Sequence, residues 1–191
     1  MKNLIDTCTL INKLNSPMKL ISLACNLKDK KEYLCITDII FDELQITPNL
    51  EKEQKKISTG IINVIERQNN IINIISLKDN KTYKENLQNI RKRFYSDVTD
   101  VKKIRKLLQE GKIKKEQVKS LRNKDLGECS LIAVAITDPN NHLIVTEDGG
   151  NIIIKPGINL FEKYKEEYNI NVCNCKEFLE NIGEIDIENS I

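Results

Sequence analysis

The chain has 191 residues, of which 30 are Lys or Arg and 28 are Asp or Glu, so its formal net charge is +2. This balance excludes a highly charged tail protein, and 40% hydrophobic residues are enough for a folded core. No apolar run approaches the ~20 residues that a membrane span needs. The single histidine, His142, argues against a His-rich zinc site and against Ser-His-Asp or Cys-His catalysis. If the chain is an enzyme, we expect carboxylates to perform its chemistry.

Apolar runs typical of buried strands alternate with longer amphipathic stretches typical of helices. Strands are predicted at 3–6, 33–36, 70–77, 142–145 and 170–173, with a short additional strand at 152–154. Helices are predicted at 7–14, 16–27, 38–45, 50–68, 125–137, 161–168 and 176–181. Ser16 suits an N-cap and Pro17 suits the first helical position. This alternation predicts a central, mainly parallel sheet in a three-layer α/β/α sandwich.

Residues 79–124 differ in character, being polar, Lys-rich and helical in pattern, with a break near Gly111. We interpret them as a helical insertion within a single domain that spans 1–191. The acidic tail, 183–191, is expected to be frayed.

The insertion is strongly basic, with 14 Lys and Arg residues against five Asp and Glu residues between positions 84 and 124. Lys and Arg engage backbone phosphates without reading sequence, so this segment predicts RNA binding. The predicted RNA contacts are Arg91, Lys92, Arg93, Lys102, Lys103, Arg105 and Lys106. The alternative is a solvated helix face. Tyr83, Phe94 and Tyr95 could stack on unpaired bases or belong to the core.

Six cysteines form no CxxC pair, which argues against a structural zinc site. Cys8, Cys25, Cys35 and Cys129 lie within apolar segments, where a free thiol packs as a small hydrophobe. Cysteine usage of this kind predicts a reducing, cytoplasmic compartment.

Acidic side chains follow or begin the elements that a parallel sheet brings to one edge. Asp6 ends the first strand, and Asp148 comes shortly after the strand at 142–145. Glu43 lies early in the helix after the second strand, while Asp125 and Glu128 share one face at the start of another helix. Converging carboxylates repel one another, and a hard divalent cation such as Mg²⁺ removes that repulsion. Such ions promote in-line displacement at a phosphodiester.

Each acid also has a purely structural interpretation, as a turn residue, a helix cap or an exposed helix residue. Asp125 and Glu128 in particular have the spacing of a capping box. Two neighbouring acids compete for the same roles, namely Asp42 beside Glu43 and Glu147 beside Asp148.

Several segments, taken in order, resemble the PIN-domain nuclease family. They are NLIDTCTLINKL, ITDIIFDEL, DLGECSLIAVAI and LIVTEDGG, followed by the closing INVCNCKEFLENI. The resemblance covers most of the chain outside 79–124. It implies a Mg²⁺- or Mn²⁺-dependent endoribonuclease. The implied metal-binding and catalytic acids are Asp6, Glu43, Glu128 and Asp148, with Asp125 and Thr146 as auxiliary residues. Cys8 departs from the Asn or Ser that is frequent at its position.

The resemblance also implies a biological setting. Small prokaryotic members of the family are most often the toxin of a toxin–antitoxin pair, which implies an antitoxin partner and a homodimer. The alternatives are a housekeeping or phage-defence nuclease of the same fold, and a catalytically inert scaffold that binds RNA or protein. Neither a DxDx[TV] motif nor a GxxxxGK[ST] loop is present, which disfavours other phosphate-handling α/β enzymes.

Overall fold

The computed structural model describes residues 1–46, 51–68, 71–152 and 157–184. Within these residues, five strands form one sheet in the order β3-β2-β1-β4-β5, and every pairing is parallel. The strands are β1 (Lys2–Ile5), β2 (Tyr33–Thr37), β3 (Ile72–Ile75), β4 (His142–Val145) and β5 (Asn171–Cys173). Helices flank this sheet, so the predicted α/β/α fold class is confirmed.

The strand order creates a crevice at the middle of the sheet. Strand β1 is central and pairs with both β2 and β4. The chain runs outward from β1 to β2 and β3 on one side, and later to β4 and β5 on the other. Because parallel crossovers are right-handed, the two sets of connecting helices cover opposite faces. Ligands bind in open α/β sheets beyond the carboxyl ends of strands at such a switch point.

The helices follow the predicted order. The first half contains α1 (Thr7–Asn12), α2 (Pro17–Asp29), α3 (Asp38–Ile46) and α4 (Lys52–Arg67). The basic segment contains α5 (Lys81–Phe94), α6 (Ser96–Thr99), α7 (Val101–Gln109) and α8 (Gln117–Asn123). The remaining helices are α9 (Leu126–Ala135), α10 (Leu160–Tyr168) and α11 (Cys175–Asn181). Helix α2 begins as predicted, because Ser16 accepts a hydrogen bond from the Lys19 N–H and Pro17 follows it.

The core lies on both faces of the sheet and extends into the basic segment. Helix α9 is buried almost throughout, from Gly127 to Ala135 except at Glu128. Helix α5 packs against α9, and Ile90, Phe94 and the following Tyr95 are buried there. Phe94 and Tyr95 are therefore core residues rather than free stacking platforms. The assignment of a single domain with an insertion at 79–124 stays a prediction.

All six cysteines lie in the described part of the chain and are free thiols. No helix among the described residues is long and apolar enough to cross a membrane. Most of the predicted strand at 152–154 and most of the predicted frayed tail lie outside the described residues.

Candidate functional site

Asp6 comes directly after β1, at the carboxyl edge of the sheet beside β4. Its backbone N–H donates to the Val145 carbonyl oxygen over 3.1 Å, which fixes the residue against the neighbouring strand. Its carboxylate oxygen Oδ2 accepts hydrogen bonds from Thr146 Oγ1 at 3.1 Å and from Cys8 Sγ at 2.6 Å. Burial raises the pKa of Asp6, and these hydrogen bonds oppose the rise. Asp6 is thus a buried, oriented carboxylate.

Cys8 occupies the position where the PIN resemblance leads one to expect Asn or Ser. Burial and the Asp6 carboxylate raise the pKa of the Cys8 thiol to about 12. The thiol therefore stays protonated at neutral pH and can donate to Asp6, as an Asn or Ser side chain would.

Asp148 is linked to Asp6 through Thr146. The backbone N–H of Asp148 donates to Thr146 Oγ1 at 3.0 Å, and that same hydroxyl donates to Asp6. Its own Oδ1 accepts from the Gly150 N–H at 2.7 Å, so one carboxylate oxygen serves the turn. The charge of Asp148 raises the pKa of both Asp6 and Glu128. Asp148 therefore belongs electrostatically to the same group of acids.

Neighbouring Glu147 is engaged elsewhere. Its Oε1 accepts a hydrogen bond from the Cys175 N–H at the start of α11, over 2.9 Å. Asp42 is also directed outward, since its Oδ2 lies 3.5 Å from Lys78 Nζ in an exposed ion pair. These contacts favour Asp148 over Glu147 and Glu43 over Asp42 as members of the site.

Glu43 reaches from α3 to the beginning of α9. Its Oε2 accepts a hydrogen bond from Thr7 Oγ1 over 2.7 Å, and the backbone of Gly127 also hydrogen-bonds the carboxylate. A Cβ placed on Gly127 would stand 2.8 Å from Oε2 and 3.0 Å from Oε1. Burial raises the pKa of Glu43, and the charges of Asp6 and Asp125 add to the effect. Sequence reasoning missed Gly127, whose only signal is a glycine immediately before an acid in the first turn of a helix.

Glu128 lies in the first turn of α9 and has a strongly perturbed pKa. Burial raises its pKa to about 8, and the charges of Asp6, Asp125 and Asp148 contribute to this rise. The perturbation means that negative charge at this point of the molecule is insufficiently compensated by the surrounding protein.

Asp125 precedes α9 in a left-handed backbone conformation, with φ of 52°. Its side chain makes no capping hydrogen bond, so the alternative of a capping box with Glu128 is wrong. The carboxylate turns instead to Tyr95 Oη, which donates to Oδ2 over 2.8 Å, and to Lys124 Nζ, 3.0 Å from Oδ1.

Arg91 supports this arrangement from inside the fold. Its Nη1 donates to the Lys124 carbonyl oxygen at 2.5 Å and its Nη2 to the Arg122 carbonyl oxygen at 2.6 Å. The guanidinium carbon lies 3.9 Å from the centroid of the Tyr95 ring. Arg91 is only 8% exposed. This placement corrects its assignment to the RNA contacts, because both terminal nitrogens are committed to backbone carbonyls.

The other predicted RNA contacts lie on the surface of α5 and α7. Arg93 forms a two-pronged pair with Glu167, at 2.6 and 2.7 Å, and Lys103 Nζ lies 2.8 Å from Asp97 Oδ1. Lys106 Nζ is 3.8 Å from Glu110 Oε1. The remaining predicted contacts are Lys92, Lys102 and Arg105. They are exposed, and their side chains make no hydrogen bond or ion pair to another described residue. Their role in RNA binding stays a prediction.

The structure thus brings acids from four distant segments to one end of the crevice, where their charges influence one another's pKa values. In the described ranges, however, no three His, Cys, Asp or Glu side chains stand close enough to hold an ion as they are. His142 lies at the opposite, amino end of β4. A donor set of carboxylate oxygens suits a hard cation such as Mg²⁺ or Mn²⁺. The residues therefore fit such an ion in chemistry and charge, and holding it requires rotation of the carboxylates.

The fold and the site together define a parallel α/β/α protein with an acidic cleft at its topological switch point. No protein-family model and no curated protein matches the chain. Among solved structures, the crystal structure of VapBC2 from Rickettsia felis bound to a DNA fragment from their promoter is similar to it. That match covers 91% of this chain and 98% of the other, with 18% identity and a TM-score of 0.43. Likeness at this level carries no information about activity.

Proposed function

We propose that this chain is a metal-dependent endoribonuclease, in which a metal-activated water hydrolyses RNA phosphodiester bonds. The proposal is supported above all by the meeting of Asp6, Glu43, Glu128 and Asp148 at the carboxyl ends of β1 and β4. The resemblance of the segments around these acids to the PIN-domain family supplies the reaction and the substrate class.

Each acid has a defined part in this proposal. Asp6 and Asp148 would be the principal ligands of Mg²⁺ or Mn²⁺, while Glu43 and Glu128 would complete the site and orient a water molecule for attack. The bound cation would neutralise charge on the phosphate and lower the pKa of a water molecule.

The surrounding hydroxyl and thiol groups hold two of these acids in place. Thr146 and Cys8 fix the Asp6 carboxylate by donating to its Oδ2. Thr7 fixes Glu43 in the same way, by donating to its Oε2.

The activity is tested with purified chain and fluorescently labelled single-stranded RNA in Mg²⁺ or Mn²⁺. We expect cleavage that EDTA abolishes, with 5′-phosphate and 3′-hydroxyl ends on the products. Asp6→Asn should lower the rate at least ~100-fold, because the position loses a charged oxygen ligand. It should also weaken Mn²⁺ binding measured without RNA. The matched control, Asp42→Asn, removes an exposed carboxylate that faces Lys78 and should leave both measurements unchanged.

Absence of cleavage across RNAs of varied sequence and structure, with either metal, would refute the proposal. That result would favour an inert scaffold that binds RNA or protein.

The family resemblance further leads us to propose a toxin of a toxin–antitoxin pair, with an antitoxin protein and a second copy of the chain as partners. Expression of the wild-type chain should then arrest bacterial growth, and expression of Asp6→Asn should not. Normal growth despite an active enzyme would instead indicate a housekeeping or phage-defence nuclease.

A further inference from the structure

A second concave region lies beside the acids, in a cavity of about 440 Å³. Its walls carry lysines from three separate elements. They are Lys13 just after α1, Lys19 in the first turn of α2, and Lys176 in α11. The acid in the described wall is Glu147, whose Oε1 already accepts a hydrogen bond from the Cys175 N–H. The cavity is therefore rich in positive charge.

These positive charges are largely uncompensated. Lys13 and Lys19 form no ion pair with any described carboxylate, and Lys176 Nζ lies 3.9 Å from Glu180 Oε1 in an exposed pair. Exposed ion pairs of this kind contribute little free energy. Three lysines that line one cavity with few acidic partners favour the binding of an anion.

The cavity adjoins the acidic cleft through a shared stretch of chain. Glu147 in its wall stands between Thr146 and Asp148. Lys13 follows the six-residue helix that begins immediately after Asp6. At ~1.5 Å of rise per helical residue, Lys13 lies about 10 Å from Asp6. This separation corresponds to a few nucleotides of an RNA strand at most.

We propose that this cavity binds a backbone phosphate of single-stranded RNA, with Lys13, Lys19 and Lys176 donating to its oxygens. The substrate class rests on the proposed function. A polyanion that enters the acidic cleft is repelled by the carboxylates, and a positive cavity beside the cleft offsets that repulsion. Because lysines contact phosphates without reading bases, the site contributes affinity and orientation but no sequence preference.

The experiment compares two triple variants that each remove three positive charges. The cavity variant is Lys13→Gln, Lys19→Gln and Lys176→Gln. The matched control is Lys52→Gln, Lys55→Gln and Lys56→Gln, all exposed positions on α4. Binding of a labelled single-stranded RNA is measured in EDTA at several salt concentrations, so that cleavage does not interfere. Circular dichroism confirms that both variants are folded.

We expect the cavity variant to bind RNA at least ~10-fold more weakly than wild type. The slope of log K against log salt should become shallower by about 0.7, the change expected when one phosphate of a single strand is no longer neutralised. The control should stay within about 0.2 of the wild-type slope. Equal losses in both variants, an unchanged cavity variant, or no RNA binding by the wild-type chain would each overturn the proposal.

Cleavage of the same RNA with Mn²⁺ separates this proposal from the proposed function. If the wild-type chain cleaves RNA and the cavity variant still binds RNA normally, the phosphate site alone is overturned. Cavity-dependent binding without any cleavage supports the phosphate site and overturns the nuclease proposal.

Discussion

Substitution of Gly127 by Ala tests whether the position of the Glu43 carboxylate matters for the site. The new Cβ would stand 2.8 Å from Glu43 Oε2, about 0.6 Å closer than the 3.4 Å at which ordinary contact begins. The atoms in its way are the end of a flexible side chain rather than backbone. We therefore expect the Glu43 carboxylate to move and helix α9 to stay in place.

The displacement has opposite consequences for stability and for the site. Moving the carboxylate weakens its 2.7 Å hydrogen bond from Thr7, at a cost of about 1 kcal/mol. Replacing glycine by alanine in a helix recovers up to ~1 kcal/mol, so the free energy of unfolding should change little. Functional constellations tolerate only about 0.5 Å of displacement. We expect Mn²⁺ affinity to fall ~10-fold and kcat/KM for RNA cleavage to fall ~10–100-fold.

Three measurements check this expectation for Gly127→Ala, namely chemical denaturation, Mn²⁺ titration and RNA cleavage. The control is Gly60→Ala in α4, where the added Cβ would lie 3.2 Å from Pro17 Cγ and away from the acids. It should leave Mn²⁺ binding and cleavage unchanged, whatever its effect on stability. If Gly127→Ala keeps wild-type Mn²⁺ affinity and cleavage, the role of Glu43 is refuted. If the variant is unfolded, the expectation that the Glu43 carboxylate moves while α9 stays in place is refuted.

Three further predictions concern the other acids. Tyr95→Phe removes the hydrogen bond to Asp125, so the free energy of unfolding should fall by about 1 kcal/mol in equilibrium denaturation. RNA cleavage should slow several-fold. Unchanged cleavage kinetics would show that the reaction does not depend on the position of Asp125. The stability of the metal-free chain should fall as pH rises from about 5 to 8, because the folded state keeps a proton on Glu128, whose pKa is about 8, after the unfolded state has lost it. At about 1.4 kcal/mol per pKa unit, the loss of stability that Glu128 causes over this pH range is at most ~5 kcal/mol. Thermal melts of Glu128→Gln should lack this loss. An equal dependence of stability on pH in that variant would contradict the assignment of the effect to Glu128. Asp148→Asn should abolish cleavage. Glu147→Gln should retain cleavage, because a Gln oxygen can still accept the hydrogen bond from the Cys175 N–H. The reverse pattern would show that Glu147, and not Asp148, is the acid used in cleavage.

The local sequence determined the elements and the fold class. Strands β2 and β4 are short, mainly apolar runs, and burial on both faces explains why these runs show no alternation. The start of α2 is also a local property, since Ser16 and Pro17 act within one turn of the helix. Alternation of strands and helices then predicted the parallel sheet, and the acids at strand and helix ends were predicted to share its carboxyl edge.

Tertiary structure alone decided which side chains act together and which are committed elsewhere. Arg91 belongs to a basic run, yet its guanidinium lies inside and holds the carbonyl oxygens of Lys124 and Arg122. Gly127 carries no chemical group, yet the Glu43 carboxylate fits only because no Cβ is there. Local sequence patterns predict whether a residue is buried or ends a helix or strand. They do not predict these contacts, because the contacts join positions that are far apart in the chain. Such contacts depend on the handedness of the crossovers and on the packing of α5 against α9, which no short stretch of sequence contains.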